Sequence, residues 1–266
     1  MRPLDLRSIE SYARADVVAE DTAPTFGPLA TRKPRAAPSG LPDYLERHYA
    51  WAYVWPFSVW FFDHQPIINA ILFGNYRRIM RETMGLMDLP NAGRTLQVAG
   101  VYGELTPTLA RGLSELHLID AAPIQLEAAR RKLAAIGRSA HLARMHAEDL
   151  RYESGTFDTV LMFLLLHEMP PQARRDALRE AARVLKPGGR LVIAEYGENR
   201  GWHLFHRFAP MRAILTWAEP FLGGFWSESL AQTLAECGAM AGREVRLDRQ
   251  VDVFGGFYRV ARFRVS

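Results

Sequence analysis

From residue 94 onward, short apolar runs alternate with stretches in which apolar residues recur every three or four positions, a pattern that predicts strands separated by helices. The spacing predicts strands over 95–99, 115–120, 141–146, 157–163 and 190–196, with helices over 105–113, 124–136 and 172–185 between them. A further helix over 227–237 and two closing strands, 244–247 and 257–265, complete the series. Elements in this order build an α/β fold: a Rossmann-like, mostly parallel seven-stranded sheet with helices on both faces. Such sheets bind ligands outside the carboxyl ends of their strands.

Ahead of this core, residues 51–73 are strongly apolar, but Pro56, Asp63, His64, Pro66 and Asn69 interrupt them. A membrane span needs about 20 mostly apolar residues, so this segment is not one. Its aromatic residues suit an apolar lid or an interfacial surface, and equally a helical subdomain packed on the core. Residues 1–40 carry five prolines and no sustained period and read as a poorly ordered tail. Acidic residues such as Asp5, Glu10 and Asp16 make that tail unlike a secretory signal or a transit peptide. The expected organisation is therefore a tail over 1–40, a helical lid or substrate segment over 41–90, and one catalytic domain over 91–266 with an aromatic insertion at about 200–226.

Composition narrows this only a little. Thirty-three Lys and Arg against 29 Asp and Glu give a net charge of +4, too small to choose between nucleic acid and an anionic membrane. The aromatics are not interleaved with a basic stripe, so nucleic acid is not an expected partner. The single Cys237 excludes an intrachain disulfide and a cysteine-cluster metal site, which fits a reducing compartment. It reads as a small buried apolar residue.

The first strand-to-helix turn, Gln97-Val98-Ala99-Gly100-Val101-Tyr102-Gly103-Glu104-Leu105-Thr106, places glycines where backbone can approach a ligand and a helix N-terminus behind them. The second strand ends in Asp120, followed by Ala121; a carboxylate there can accept both hydroxyl protons of a ribose, or merely cap the next helix. After the third strand, Ala147-Glu148-Asp149-Leu150 offers a carboxylate for an adenine amino group and Leu150 to flank the ring. The fourth strand runs through Phe163 and Leu164 into His167 and Glu168, setting an imidazole at the mouth of the same cleft.

Together with Arg183-Val184-Leu185-Lys186-Pro187-Gly188-Gly189-Arg190-Leu191, these elements resemble the class I methyltransferase superfamily dependent on S-adenosylmethionine (SAM), in particular its quinone-biosynthesis branch. The departures are informative. That superfamily's first turn begins with an acid and carries three glycines, whereas here the register holds Gln97, Ala99, Val101 and Gly103. The altered turn, the segments Pro42-Asp43-Tyr44-Leu45 and Ile71-Leu72-Phe73-Gly74-Asn75-Tyr76-Arg77-Arg78, and Phe163-Leu164-Leu165-Leu166-His167-Glu168 resemble the RquA family over residues 42–235. Trp55 stands where that resemblance implies a His.

The resemblance implies conversion of ubiquinone to rhodoquinone: a ring methoxy group is replaced by an amino group, SAM is the amino donor and Mn2+ supports the reaction. It implies a SAM site made by Gln97, Ala99, Gly100, Tyr102, Gly103, Thr106, Asp120, Ala121, Glu148, Asp149, Leu150, Phe163, Leu164 and His167. An amine attacks only when neutral, so loss of the usual acid at Gln97 removes a charge that would keep the α-ammonium protonated. His167 or His64 is the candidate proton acceptor and Tyr76 the candidate donor to a quinone carbonyl. For Mn2+, oxygen and imidazole ligands are expected, and His167, Glu168 and Asp149 are near in topology without a spacing that assigns them. A polyprenyl quinone partitions into the bilayer, so the expected location is cytoplasmic, in peripheral contact with the inner face of the membrane. Arg200, His203, His206, Arg207 and Arg212 are candidates for head-group contacts, and the aromatic stretch from Trp202 to Trp226 is the candidate, with residues 49–73, for an apolar tunnel around the polyprenyl tail. Two other readings share the cofactor features: an ordinary C- or O-methyltransferase acting on a quinone precursor, and an inactive SAM-fold module that binds lipid or a partner.

Overall fold

The computed structural model describes residues 40–266 apart from 101, 199, 200 and 202. The expected tail over 1–39, and the expectations placed on Val101, Arg200 and Trp202, lie outside the described residues.

Seven strands form one sheet: β1 (Arg94–Val98), β2 (Glu115–Asp120), β3 (His141–Arg144), β4 (Phe157–Phe163), β5 (Leu185–Tyr196), β6 (Val245–Val253) and β7 (Tyr258–Val265). Their order is β3-β2-β1-β4-β5-β7-β6. Neighbours are parallel from β3 through β5, with Val98 opposite Ile119 on one side and Met162 on the other. The β7 strand runs antiparallel to both β5 and β6. Chain order reverses at β1 and β4, and the ligand crevice of such a sheet opens at their carboxyl ends. The Rossmann-like expectation holds.

The central strands are near-continuous apolar runs because both faces are covered: Leu96, Val98, Val160, Leu161 and Met162 are wholly buried. Helix Pro123–Ala135 packs on β2 and β3 and helix Pro171–Val184 on β5, each opening on a proline whose missing N–H is no loss in a first turn. Several boundaries differ from expectation: β5 begins at 185 instead of 190, the helix after Ser227 spans Leu230–Met240 instead of 227–237, and β3 and β6 end elsewhere. The β3 strand stops at Arg144 because the chain turns, Asp149 N–H donating to His146 O at 3.2 Å. The β6 strand runs to Val253 rather than 247. As an edge strand it is mostly exposed and charged, so hydrophobic alternation does not mark it, yet it pairs with β7 along its length.

Before the sheet lie helical turns Leu45–Tyr49 and Ala50–Tyr53, then helices Pro56–Phe62, Gln65–Ile71 and Tyr76–Met87. The last inserts Ile79 and Met87 fully into the core against β5 and β7. After β5, short helices Leu204–Arg207, Ala209–Ala218 and Leu222–Trp226 return over the same end of the sheet. The two aromatic segments meet there: Phe73 and Phe205 stand edge to face with centroids 4.7 Å apart. Among the described residues no helix is long and apolar enough to cross a membrane.

Candidate active site

A cavity of about 330 Å3 opens at the carboxyl ends of β1, β2 and β4. Ala99, Gly100, Asp120 and Phe163 form its floor, while Tyr44, Trp51 and Phe62 from the N-terminal helices and Glu219 from the segment after β5 close it.

The turn after β1 is held from beneath. Gln97 is wholly buried, its Nε2 donating to Ala99 O at 3.0 Å and its Oε1 accepting from Thr106 Oγ1 at 3.0 Å. A carboxamide can make both bonds; an ionised carboxylate can make only the second. Neither Gln97 nor Thr106 lines the cavity, so both support the turn instead of facing a ligand. Ala99 occupies the left-handed region at φ 71°, a conformation that glycine adopts freely and alanine does not. Gly103, at φ 80°, lies so close to Tyr76 that an added Cβ would come within 2.8 Å of its hydroxyl oxygen.

Tyr76 corrects an expectation. Its hydroxyl accepts from the N–H groups of Glu104 and Leu105 at 3.0 and 3.1 Å and donates to Tyr102 O at 3.2 Å. It thereby satisfies two donors at the start of helix Leu105–Gly112 and does not face the cavity, so it is not placed to meet a quinone carbonyl. His64 is corrected too: it is exposed, its Nδ1 is 2.8 Å from Trp60 O, and it lies outside the cavity. Trp55 is 60% exposed and also outside.

Sequence reasoning missed a clamp between lid and turn. Asp63 Oδ1 accepts from Gly103 N–H at 2.8 Å and from Lys132 Nζ at 2.6 Å, and the same ammonium donates to Gly103 O at 3.0 Å. Beside it Tyr102 faces the cavity, donates to Ala52 O, accepts from Gln125 Nε2 at 3.2 Å, and stacks on Tyr53 at 5.5 Å.

Asp120 ties the turns after β1 and β2 together and does not cap the helix Pro123–Ala135. Its Oδ1 accepts from Ala122 N–H at 2.7 Å and its Oδ2 from Gly100 N–H at 2.6 Å, while the carboxylate still borders the cavity beside Ala121. Burial pushes its pKa up to about 6, against the pull of those two N–H groups. Glu148 also lines the cavity, with a buried Oε2 that has no partner among the described residues and a hydrogen bond to Tyr44. Burial raises its pKa. Leu150 does not flank this space. It is wholly buried behind it, with its N–H on Glu180 Oε2 at 2.9 Å; Met145 and Ala147 supply the apolar wall instead. Asp149 is likewise outside the lining.

At the other end, β4 leaves through Leu164 at φ 52° into the turn Leu166–Glu168, which also lines the cavity with His167 and Glu168. The Nδ1 of His167 is 2.7 Å from Glu195 Oε1, and its Nε2 is 3.9 Å from Glu168 Oε1. Glu195, wholly buried on β5, is itself fixed by the N–H groups of Leu166 and Tyr196 at 2.9 and 2.8 Å. Tyr53 donates to Glu168, and Tyr49 donates to Glu219 at 3.0 Å. Ligand-capable atoms of His167, Glu168 and Glu219 lie within 4.8 Å of one another. Burial pushes Glu168 up to about 8 and raises Glu219. For His167 burial works downward, but the carboxylate of Glu195 prevails and lifts it to about 9. Glu195 and Glu219 come from distant elements, and no spacing in the sequence ties them to His167. A second cluster, Glu115, His117 and His141, sits at the opposite ends of β2 and β3, where Arg94 binds Glu115 at 2.7 Å.

The fold is a Rossmann-like methyltransferase fold, and residues 96–189 match the family described as a methyltransferase domain. The chain is 25% identical over 182 residues to a demethylmenaquinone methyltransferase of Bacillus mycoides, covering 64% of this chain and 76% of that protein. It is 29% identical over 138 residues to the ubiquinone/menaquinone biosynthesis C-methyltransferase UbiE of Azotobacter vinelandii, covering 50% of this chain and 54% of that one. The match thus spans about half the length of that relative. Among solved structures, the mitomycin 7-O-methyltransferase MmcR superposes with a TM-score of 0.56 at 18% identity over 78% of this chain and 60% of its own. The [4+2]-cyclase SpnF does so at 0.55 and 18%, over 85% and 97%. These two likenesses concern the fold.

Proposed function

We propose that this protein is a SAM-dependent transferase acting on a quinone, and that it replaces a ring methoxy group of ubiquinone by an amino group taken from SAM, forming rhodoquinone. The observation that carries the reading is the two-ended cavity. One end presents Asp120, Gly100 and Glu148, suited to a nucleoside; the other presents a buried imidazole and carboxyl group, His167 and Glu168, beneath a tyrosine-rich roof. The named activities of the relatives, quinone-biosynthesis methylations, support a quinone acceptor.

In this reading Asp120 accepts the ribose hydroxyls, Ala121 and Glu148 border the adenosine, and Ala99, Gly100, Phe163 and Leu164 line the methionyl end. Gln97, Thr106 and Gly103 shape the turn. The neutral side chain of Gln97 leaves no carboxylate beneath that turn to hold the α-ammonium protonated. His167 or Glu168, once it has lost its own proton, takes one from the ammonium; the freed nitrogen attacks the methoxy-bearing carbon, methoxide leaves as methanol with a second nitrogen proton, and transfer of a β-hydrogen of the methionyl chain to nitrogen as the carbon–nitrogen bond breaks releases the aminoquinone and an unsaturated sulfonium acid. Failure of Gln97→Asp to slow amination would remove the charge argument. Mn2+ belongs to this reading, and the oxygen and imidazole donors of His167, Glu168 and Glu219 match its preferences.

Residues 41–90 serve as the lid and the stretch at about 200–226 as the acceptor insertion of the domain over 91–266. Trp55 and Phe57, 60% and 54% exposed, and Phe208 and Trp217, 54% and 84% exposed, supply an apolar surface on these two segments. That surface supports peripheral association with the inner face of a membrane, where a polyprenyl quinone resides.

Methyl transfer to a quinone precursor is the second reading, favoured by the names of the relatives. SAM labelled with nitrogen-15 at the amino group, short-chain ubiquinone and Mn2+ separate the two. Label in the quinone in place of methoxy supports amino transfer; S-adenosylhomocysteine with a methylated acceptor replaces it by methyl transfer.

A further inference from the structure

We infer that His167, Glu168 and Glu219 form a divalent-cation site inside the cavity, and that Glu195 is the positioning residue that aims the imidazole into it. The inference rests on the proposed transfer for its purpose, since a bound ion would polarise an oxygen of the acceptor.

The donors come from two separate elements and converge. His167 and Glu168 lie on the turn after β4, and Glu219 caps the carboxyl end of helix Ala209–Ala218; their ligand atoms fall within 4.8 Å of one another. The Nδ1 of His167 is occupied by Glu195 at 2.7 Å, which leaves Nε2 for the cavity. An imidazole whose far nitrogen donates to a buried carboxylate is the usual arrangement behind a metal-binding histidine. Glu195 is itself locked by the backbone of Leu166 and Tyr196, so the ring direction is set by β5. Tyr53 and Tyr49 each donate to one ligand carboxylate and leave its remaining lone pairs open.

Charge points the same way. Three carboxylates, Glu168, Glu195 and Glu219, surround one imidazole in a largely buried space. Away from water such groups are held together only by shared protons or by a cation. One nitrogen and two oxygens, with no thiolate, suit a hard or borderline ion such as Mn2+ and leave positions for an oxygen of the acceptor.

The test titrates the full chain into Mn2+ and follows the six-line electron paramagnetic resonance signal of the free ion. Loss of signal with one site per chain is expected. Glu219→Gln should weaken binding at least tenfold, and Glu195→Gln about 10- to 100-fold. SAM binding by calorimetry reports whether Glu219→Gln remains folded. Wild-type protein that leaves the signal unchanged overturns the inference. So does Mn2+ binding that survives Glu219→Gln and Glu195→Gln but is lost in Glu115→Gln, which would place the ion with His117 and His141. The transfer reading fails separately: bound Mn2+ with no nitrogen-15 in the quinone sinks that reading alone, whereas label transfer without Mn2+ binding sinks only the site.

Discussion

Replacing Gln97 by glutamate isolates what the turn after β1 requires. The carboxamide donates to Ala99 O and accepts from Thr106 Oγ1, and it is wholly buried. A protonated glutamate can reproduce both bonds; an ionised one sets a negative oxygen against the Ala99 carbonyl. Gln97→Glu should therefore be nearly neutral in acid and destabilising near neutrality. An unfolded glutamate titrates near pH 4.3, and burial of this kind lifts the folded value to about 7. The folded state then binds more protons than the unfolded one between about pH 4.3 and 7, so stability falls as pH rises through that window and levels off above it. The loss integrates to about 4 kcal/mol. Urea denaturation of both proteins at a series of pH values measures it, because glutamine does not titrate and the difference curve belongs to the new side chain. Gln97→Leu gives the control: it removes both bonds at every pH and should be about 2 kcal/mol less stable throughout. A Gln97→Glu difference that is the same at pH 5 and pH 8 would refute the reasoning.

Ala99→Gly should stabilise the protein by about 0.5 to 1 kcal/mol, since the left-handed backbone at φ 71° penalises a Cβ by more than glycine loses in chain entropy; a lower denaturation midpoint would contradict it. SAM affinity should weaken as pH falls through about 6, where Asp120 gains a proton and can no longer accept from both ribose hydroxyls, approaching tenfold per unit below it. In Asp120→Asn, calorimetry should find weaker binding without that slope. Replacing Trp55 and Trp217 by alanine together should reduce sedimentation with liposomes without changing SAM binding, and unchanged sedimentation would argue against the exposed aromatic face.

The core of this fold is legible in sequence because its strands are buried on both faces. β2 and β4 occupy the expected spans, and β6 does not because an exposed charged edge strand carries no such signal. In the site, Asp120 and His167 are legible because strand ends mark the ligand side of the sheet. Tyr76 and His64 mislead: residue type names a chemistry, but only packing reveals that one hydroxyl is already committed to a helix end and one imidazole faces outward. Glu195, Glu219 and Asp63 were not legible for the opposite reason. They arrive at the site through β5, through a helix after it and through the lid, and such long-range meetings leave no local spacing.

The clamp between Asp63, Lys132 and Gly103 has a kinetic consequence. The roof over the acceptor end and the turn under the cofactor end are tied at Asp63 to Gly103 and again at Tyr102 to Ala52. The roof cannot lift without pulling on the turn, so in the proposed transfer both substrates would pass one door. A tight occupant of the acceptor end would then trap the nucleoside behind it, and turnover would be set by how often that door swings, whichever group is transferred inside.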